Sequence, residues 1–313
     1  MTARKKGMEM KRWEIVNQLA ASQQPRPLHE LLAKQWLLPR RFVHYLRTRR
    51  NVLVNGQYRP VNTVVGPGDQ VTLRFIGDEF RTGQSSYIPA THPQLTVLFE
   101  TRDLLVVNKP AGQKCHPNYH GETGTVMNDA AGYLAGSGSE AFMVHRIDQQ
   151  TSGALIIAKN PVVVPILDRL ISANRIHRTY LALAEGRVSP ANGSWRWSIG
   201  RDRDDKRKRQ VGGVGAQSAW TDYQTLAANE QATLLKLSLH TGRTHQLRVH
   251  LAYDRHPIIG DPLYNPRYGQ PPLLLHGAWL RLVIPFSQEE EIVQAPIANY
   301  FQQSLLKYHI GKV

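Results

Sequence analysis

Four short segments of this sequence concentrate polar residues beside apolar stretches of strand length. They are residues 145–153, 178–180, 241–250 and 257–262. The first contains Asp148 in a turn ahead of an apolar strand, where an aspartate is most often a turn former that bonds its own backbone. Taken singly, Tyr180 indicates a core or rim aromatic and Arg248 a surface cation or salt-bridge partner. Chemistry is therefore expected only if the segments act together.

The sequence lacks the motifs of the common cofactor and metal sites. It has neither a GxxxxGK phosphate loop nor a GxGxxG turn. His245 and His250 have the wrong spacing for a zinc helix of the HExxH type, and one cysteine, Cys115, excludes a disulfide or a Cys-rich zinc site. Glycosidases normally need two acids flanking the bond, whereas Asp148 has an arginine beside it. We expect no cofactor and no metal.

The composition predicts a basic protein with an ample core. Of 313 residues, 41% are hydrophobic, and 39 Lys and Arg outnumber 24 Asp and Glu, which gives a formal net charge of +15. Surplus positive charge attracts polyanions, so nucleic acid is the first partner to test and an anionic membrane surface the second. No apolar run is long enough to span a bilayer and the N-terminus lacks a signal-type segment. A soluble, cytoplasmic protein is expected.

The elements that must position the four segments lie in a predicted domain over residues 95–313. Apolar stretches predict strands at residues 104–107, 154–158, 179–184 and 234–239. One helix is expected to start near Val164, and another near Thr244, which can cap it, with Leu247 and Leu251 on its buried side. Because strands and helices do not alternate as regular βαβ units, the spacing favours an α+β domain with a mostly antiparallel sheet.

A smaller unit is predicted ahead of this domain. Residues 1–25 are a basic tail in which Trp13, Ile15, Val16 and Leu19 indicate a short amphipathic helix. Residues 26–76 predict two short helices and a hairpin that turns at Asn55 and Gly56. Residues 77–94 have the composition of a linker. The arginines of the small unit suit either an RNA-binding module or an ordinary solvated face, and the residues alone do not separate the two.

The ordered set of segments resembles the RluA-type family of RNA pseudouridine synthases. The similarity covers residues 95–290 and is carried by DLLVVNKPAGQKCHP, HRIDQQTSG, RTYLALAEG, LHTGRTHQLRVHLA, PIIGDPLY and LLLHGAWL. Ile147 stands where the family usually has Leu, a swap that preserves volume. The unit at 27–75 is similar to the alpha-L RNA-binding domain that often precedes such catalytic domains, although Arg49, Arg50 and Asn51 stand where that domain commonly has a Gly.

The resemblance implies a cofactor-independent isomerase with a pseudouridine synthase catalytic domain. Asp148 would be its catalytic carboxylate, and Arg248 would pair bidentately with Asp148 and keep it charged. Tyr180 would stack on the uracil and is a candidate for removing the C5 proton, and Arg146 would fill the space of the flipped base. Supporting roles around Arg248 are expected of Arg243, His245 and Gln246, and a structural turn role of Asp261.

RNA contacts are predicted on two basic surfaces. They are Arg40 and Arg41 of the small unit and Arg201, Lys206, Arg207, Lys208 and Arg209 of a charged loop. Such a loop can also be merely solvated. The paired domains favour large-subunit rRNA as the substrate, with tRNA as the alternative. The competing function, from a different class, is that of a non-catalytic RNA-binding ribosome-assembly factor. We expect a monomer.

Overall fold

The first element of the chain is a strand. The structure is a computed structural model that describes residues 11–265 and 272–311, so the first ten residues of the predicted tail lie outside it. β1 (Trp13–Gln18) pairs antiparallel with β6 (Gln70–Phe75) and buries Trp13 and Ile15. The amphipathic helix predicted here is therefore wrong: Trp13 and Ile15 have the period of two that buries one face of a strand, and β6 offers that strand a partner.

The rest of the N-terminal unit packs short helices on this sheet. Its elements are β2 (Arg26–Pro27), α1 (Leu28–Glu30), a π-helical turn (Leu31–Gln35), α2 (Arg40–Thr48), β3 (Val52–Val54), β4 (Gln57–Tyr58) and β5 (Val64–Val65). The sheet order is β1-β6-β3-β4, and β2 pairs with β5. The predicted hairpin turn is confirmed, with φ of 51° at Asn55 and 78° at Gly56. Arg50 has a φ of 55°, so a turn that suits glycine forms here with an arginine.

A large sheet forms the middle of the part of the chain that follows the N-terminal unit. Its strands are β7 (Val97–Glu100), β8 (Leu104–Lys109), β9 (Phe142–Met143), β10 (Ser152–Ala158), β11 (His177–Glu185), β12 (Asn192–Trp195), β16 (Thr221–Ala228), β17 (Ala232–Leu239), β18 (Leu275–Val283) and β19 (Glu290–Gln294). The main order is β12-β16-β17-β11-β18-β10-β8-β7. β10 and β18 run parallel, and the other strand pairs in the described residues are antiparallel. The predicted α+β fold with a mostly antiparallel sheet is confirmed.

A small three-stranded sheet projects between β12 and β16. It consists of β13 (Ile199–Arg201), β14 (Arg209–Val211) and β15 (Val214–Gln217), in the order β14-β13-β15. We call residues 199–217 the arm. Ile199 of the arm packs with Ala219 and Val249 in a small apolar cluster, so the arm is held against the helix that carries Val249.

Four helices cover the sheet: α3 (Val126–Tyr133), α4 (Val164–Ser172), α5 (Gln246–Tyr253) and α6 (Asn299–Lys307). Leu247 and Leu251 of α5 are buried as predicted, but the cap predicted at Thr244 is wrong. The residue before α5 is His245 with a φ of 59°, and the Gln246 side chain instead accepts the Arg243 N–H at 2.9 Å. No helix within residues 11–265 and 272–311 is long and apolar enough to cross a membrane.

The core continues from the large sheet into the N-terminal unit. Alternate residues of β8 and β10 enter two apolar clusters, so both faces of these strands are covered. One cluster also contains Trp36 of the N-terminal unit. The Trp36 and Phe286 rings pack edge to face, with their centroids 5.2 Å apart. Arg169 of α4 donates to the carbonyls of Leu37 and Leu38 at 2.8 and 3.0 Å. The small sheet is thereby fixed to the large one.

Candidate active site

Asp148 lies at the entrance to the parallel strand pair β10 and β18. Its backbone carbonyl accepts the Thr151 N–H at 3.0 Å, which closes the turn that leads into β10. Gly153 follows with a φ of 114°, and a Cβ at this position would lie 2.3 Å from the Gly277 carbonyl oxygen. Only glycine allows the two strands to approach so closely. The turn therefore places a carboxylate at the strand ends with its side chain 20% exposed.

Tyr180 reaches the same place from β11. It is opposite Gly277 of β18 in the strand register, at a point where a bulge follows Thr179. The residue is 6% exposed and lines a cavity with Asp148 and Arg248. Burial raises the pKa of the Tyr180 hydroxyl, so this group holds its proton in the free protein. The three residues singled out by the sequence resemblance are thus brought together.

Arg248 on α5 binds two carboxylates unequally. Its Nε and Nη2 donate to the two carboxylate oxygens of Asp261 at 2.7 Å each, whereas Nη1 donates to Asp148 Oδ2 at 3.2 Å. The prediction that Arg248 pairs bidentately with Asp148 is therefore wrong. The bidentate partner of Arg248 is Asp261. Burial alone would lower the pKa of Arg248, but the bonds to Asp261 and Asp148 outweigh it and the pKa is raised. The guanidinium stays charged.

Asp261 holds Arg248, a role that the sequence did not indicate. It is fully buried, and its carboxylate also accepts the N–H groups of Leu263 and Tyr264 at 2.9 and 3.0 Å. The predicted turn role is therefore only half of its function. Its position between Gly260 and Pro262 indicates the turn. Nothing local in the sequence shows which arginine the carboxylate will face.

His245 contacts Asp148 rather than supporting Arg248. His245 Nε2 is 3.9 Å from Asp148 Oδ1, and His245 Nδ1 is 2.9 Å from the Tyr264 hydroxyl, which accepts the Arg209 N–H at 2.8 Å. Burial is the main reason that the pKa of His245 is lowered, so the ring is neutral at neutral pH. If Tyr264 donates its proton to Nδ1, the remaining N–H of the neutral ring points toward Asp148.

The other two predicted supports of Arg248 have different partners. Gln246 donates to the Trp220 carbonyl at 3.0 Å and to the Thr221 hydroxyl at 2.9 Å. Arg243 donates to the Ser218 carbonyl at 2.9 Å and to the Gln217 side chain at 2.7 Å. Both roles predicted around Arg248 are therefore wrong. Gln246 fixes the start of α5 to β16, and Arg243 faces the arm.

Lys109 is a second residue that the sequence did not point to. It is 1% exposed, and its ammonium donates to the carbonyls of Pro110, Gln113 and Gln149 at 2.9, 2.7 and 2.9 Å. Burial lowers the pKa of Lys109 to about 8. Because Gln149 follows Asp148 directly, the buried ammonium anchors the turn that carries the carboxylate.

Two more arginines face the Asp148 cavity. Arg146 is exposed, lines the cavity, and has no side-chain hydrogen bond to any other residue in the described part of the chain. Arg178, at the start of β11, is 8% exposed and also lines the cavity. Within residues 11–265 and 272–311, no group of three His, Cys, Asp or Glu side chains could hold a metal ion.

The basic residues predicted to contact RNA lie on two surfaces. Arg40 and Arg41 are exposed on α2, and Arg41 donates to the Asp78 carbonyl at 2.8 Å. The predicted loop is in the arm, where Arg201, Lys206 and Arg207 are exposed and Lys208 and Arg209 are half-buried. Arg207 differs from its neighbours because Asp205 holds it at 2.7 Å. Arg207 is therefore partly neutralised by Asp205 and offers less charge to an anionic ligand than the other cations of the loop.

The chain is similar to known proteins over most of its length. Residues 103–253 match the RNA pseudouridylate synthase family, and residues 18–71 match the RluD ribosomal pseudouridine synthase N-terminal domain. An uncharacterized RNA pseudouridine synthase of Bacillus subtilis, YhcT, is 37% identical over 257 residues, which cover 80% of this chain and 82% of YhcT.

Two further proteins extend the comparison to a ribosomal enzyme and a solved structure. Ribosomal large subunit pseudouridine synthase D of Escherichia coli O6:H1 is 33% identical over 287 residues, which cover 84% of this chain and 81% of that protein. The solved structure of human RNA Pseudouridylate Synthase Domain Containing 4 has a TM-score of 0.57 and 25% identity, over 69% of this chain and 94% of the human one.

Proposed function

The chain belongs to the RluA-type family of RNA pseudouridine synthases, and we propose that Asp148 is the carboxylate with which it isomerises uridine to pseudouridine. The family makes it an isomerase that acts on RNA. The observation that supports the assignment is the position of Asp148, at the mouth of a cavity, within 3.2 Å of the buried guanidinium of Arg248 and beside Tyr180.

The reaction breaks the bond between uracil N1 and ribose C1′, turns the base and rejoins it through C5. Asp148 either attacks C1′ or takes a ribose proton, and both routes need an ionised carboxylate. An enclosed carboxylate is driven toward its neutral form by desolvation, and a nearby cation opposes that change. Arg248 supplies this cation, and because Asp261 holds its other side, it can do so without turning away from Asp148.

Tyr180 and Arg146 act on the base. The buried ring of Tyr180 offers a surface for the flipped uracil to stack on, and stacking offsets part of the few kcal/mol that base flipping costs. Its raised pKa favours stacking over a role as resting base, because the hydroxyl must first lose its proton to accept one from C5. Arg146 is free and exposed beside Asp148, as required of a side chain that fills the vacated position in the RNA.

The substrate we propose is large-subunit rRNA. The match of residues 18–71 to a ribosomal pseudouridine synthase domain and the likeness to an enzyme named for the large ribosomal subunit support this choice over tRNA. The exposed arginines of α2 and of the arm give the chain two contact surfaces, which suits an extended, folded RNA. We further propose that residues 26–76 are the RNA-binding module, and that the enzyme acts as a cytoplasmic monomer.

The Asp148→Asn variant tests the catalytic assignment. We expect it to lose pseudouridine formation in large-subunit rRNA while its affinity for that RNA stays within about threefold, since only one charge in the cavity changes. Pseudouridine mapping in a deletion strain that carries either the parent gene or the variant gives the readout. Asp168→Asn, at an exposed position of α4, is the matched control and should restore full modification. Modification by Asp148→Asn would disprove the assignment.

A non-catalytic RNA-binding factor for ribosome assembly is the competing function. It predicts that the deletion strain shows a ribosome defect with an unchanged pseudouridine map. The intact set of Asp148, Tyr180 and Arg248 in one cavity favours the enzyme, because a scaffold without chemistry has no need to bury a charged pair at this place.

A further inference from the structure

Arg178 is a buried cation without a protein partner. It is 8% exposed, its Nε is buried without a hydrogen bond, and its side chain makes no hydrogen bond or ion pair with any residue in the described ranges 11–265 and 272–311. A buried charge is normally paired, because removing it from water without a partner is costly. Arg178 therefore has donors to offer to an anion that a ligand supplies.

The Arg178 guanidinium lies next to Gly242, where the absence of a side chain leaves a gap above it. A Cβ at Gly242 would lie 3.1 Å from Arg178 Nη1, so any larger side chain would press on the guanidinium. Gly242 itself is exposed. Gly242, Arg243 and Arg178 all line the cavity that contains Asp148. An anion that enters from the surface at Gly242 can thus reach Arg178 beside the reacting carboxylate.

A second cavity, of about 480 Å³, continues from this gap under the arm. Gly242 and Arg243 line both cavities, and Arg201 and Arg209 complete the cationic wall of the second one. Within residues 11–265 and 272–311, no Asp or Glu lines it. Arg243 and Arg209 bond to neutral acceptors only, and the Arg201 side chain bonds to no residue of the described chain.

We propose that Arg178, Arg243 and Arg201 form a track that binds the phosphodiester backbone of the RNA on one side of the target uridine. The proposal rests on the proposed function and adds to it the path of the substrate strand. A row of guanidinium groups that lack carboxylate partners and start beside Asp148 matches the one repeating anion of RNA, its phosphate. Arginine also binds phosphate with paired donors. Arg178 takes the phosphate nearest to the uridine, and the arm takes the next ones.

The track makes an unusual prediction about the stability of the free protein. Arg178→Met keeps much of the apolar stem and removes a buried charge that no protein group neutralises. The midpoint of urea unfolding should therefore stay the same or rise. A merely structural arginine would behave in the opposite way, since its removal would break bonds and lower the midpoint.

RNA binding supplies the second readout. Affinity of a labelled oligouridylate is measured by fluorescence anisotropy at a series of KCl concentrations for the parent protein, Arg178→Met, Arg243→Gln and Arg201→Gln. Each variant should bind more weakly than the parent by about tenfold, and the slope of log K against log salt should fall by about 0.7 for each lost phosphate contact with a single strand.

Arg187→Gln is the control for net charge. Arg187 is exposed, is paired with Glu230 at 3.0 Å, and follows the end of β11 opposite to Arg178. The strand from Arg178 to Glu185 alone spans about 23 Å at the usual rise of a strand. Its variant should leave the salt slope unchanged. A competition series with uridine monophosphate distinguishes a strand from a free nucleotide, because the monophosphate has no neighbouring phosphates and should displace the oligouridylate weakly.

The outcomes separate this proposal from the proposed function. The track is supported if the three variants lose affinity and salt slope while Arg187→Gln does not and Arg178→Met is as stable as the parent. It is overturned if Arg178→Met unfolds earlier at an unchanged slope, if all four variants lose the same affinity, or if the parent fails to bind the strand. None of these measurements depends on turnover, so a failure of the Asp148 assignment would show only in the pseudouridine map.

Discussion

The Arg248 guanidinium bonds two carboxylates, Asp261, which is fixed, and Asp148, which the proposed reaction needs to be available. Asp261 receives two bonds at 2.7 Å and is fully buried, whereas Asp148 receives one bond at 3.2 Å and is 20% exposed. The short pair sets the orientation of the arginine. The longer bond leaves Asp148 with free lone pairs, which is what the proposed attack on the ribose requires of it.

Asp261→Asn should therefore damage both stability and turnover. The amide keeps one acceptor oxygen but turns an NH₂ group toward Arg248, and a buried charge then lacks its full partner. We expect the free energy of unfolding to fall by about 3 kcal/mol and kcat to fall by at least about tenfold. Urea unfolding and single-turnover modification of rRNA measure the two effects.

The double variant with Arg248→Met provides the control for this pair. If Asp261 acts through Arg248, the double variant should lose much less stability than the sum of the two single variants, because the apolar side chain no longer needs a counterion. Additive losses would show that Asp261 acts mainly through its bonds to the backbone of Leu263 and Tyr264.

At the scale of elements, two hydrogen bonds connect the arm to His245, whose Nε2 lies 3.9 Å from Asp148 Oδ1. The backbone N–H of Arg209 in β14 donates to the Tyr264 hydroxyl, which also bonds His245 Nδ1, and His245 precedes α5 beside Asp148. The left-handed backbone at His245 turns this ring into the site. We therefore expect a shift of the arm, if RNA binding causes one, to be passed to His245 next to Asp148.

Tyr264→Phe tests this connection. The ring that lies 5.1 Å from the Arg248 guanidinium remains, but the Arg209 N–H and His245 lose their shared partner. We expect kcat to fall by about tenfold, the effect of roughly one hydrogen bond, with RNA affinity little changed. Tyr253→Phe on α5, where the ring is 58% exposed, is the matched control and should keep the parent kcat. An unchanged kcat in Tyr264→Phe would contradict the connection.

The sequence predicted elements well where one signal acted alone. The short, unbroken apolar runs of β8 and β10 favour strands that are covered on both faces. Trp13 and Ile15 were ambiguous because their spacing fits a strand and their neighbours Val16 and Leu19 also fit a helix. Pairing with β6, 60 residues away for Glu14 and Arg74, decided between the two. Local patterns do not contain such distant partners.

The same limit applies to the site. Asp148, Tyr180 and Arg248 could be selected because their segments match a known order, but the geometry among them could not. Asp261 faces Arg248 because residues 257–265 fold back against α5, and Lys109 is buried because the turn after β8 closes on the Asp148 turn. Both facts depend on tertiary contacts, between residues 13 apart in the chain for Arg248 and Asp261 and 40 apart for Lys109 and Gln149.

At the scale of the whole molecule, the N-terminal unit and the catalytic sheet share one apolar cluster. Trp36, Phe42 and Leu46 of the unit belong to the same cluster as Leu280 and other residues of β18 and its neighbours. A contact of this kind favours cooperative unfolding of the two parts. It also holds the arginines of α2 at a set distance from Asp148, which is what two-point binding of a folded RNA requires.

Trp36→Ala should therefore destabilise the entire chain and not only its N-terminal unit. Trp36 is 1% exposed and its loss opens a cavity against Phe286, so we expect a decrease of about 3–5 kcal/mol in the free energy of unfolding, with one transition. Tryptophan fluorescence and far-ultraviolet circular dichroism should give the same midpoint. Val64→Ala, 61% exposed in the same unit, should change the midpoint little. Two separate transitions would mean that the unit unfolds independently, and the fixed spacing between the two proposed RNA-contact surfaces would then be lost.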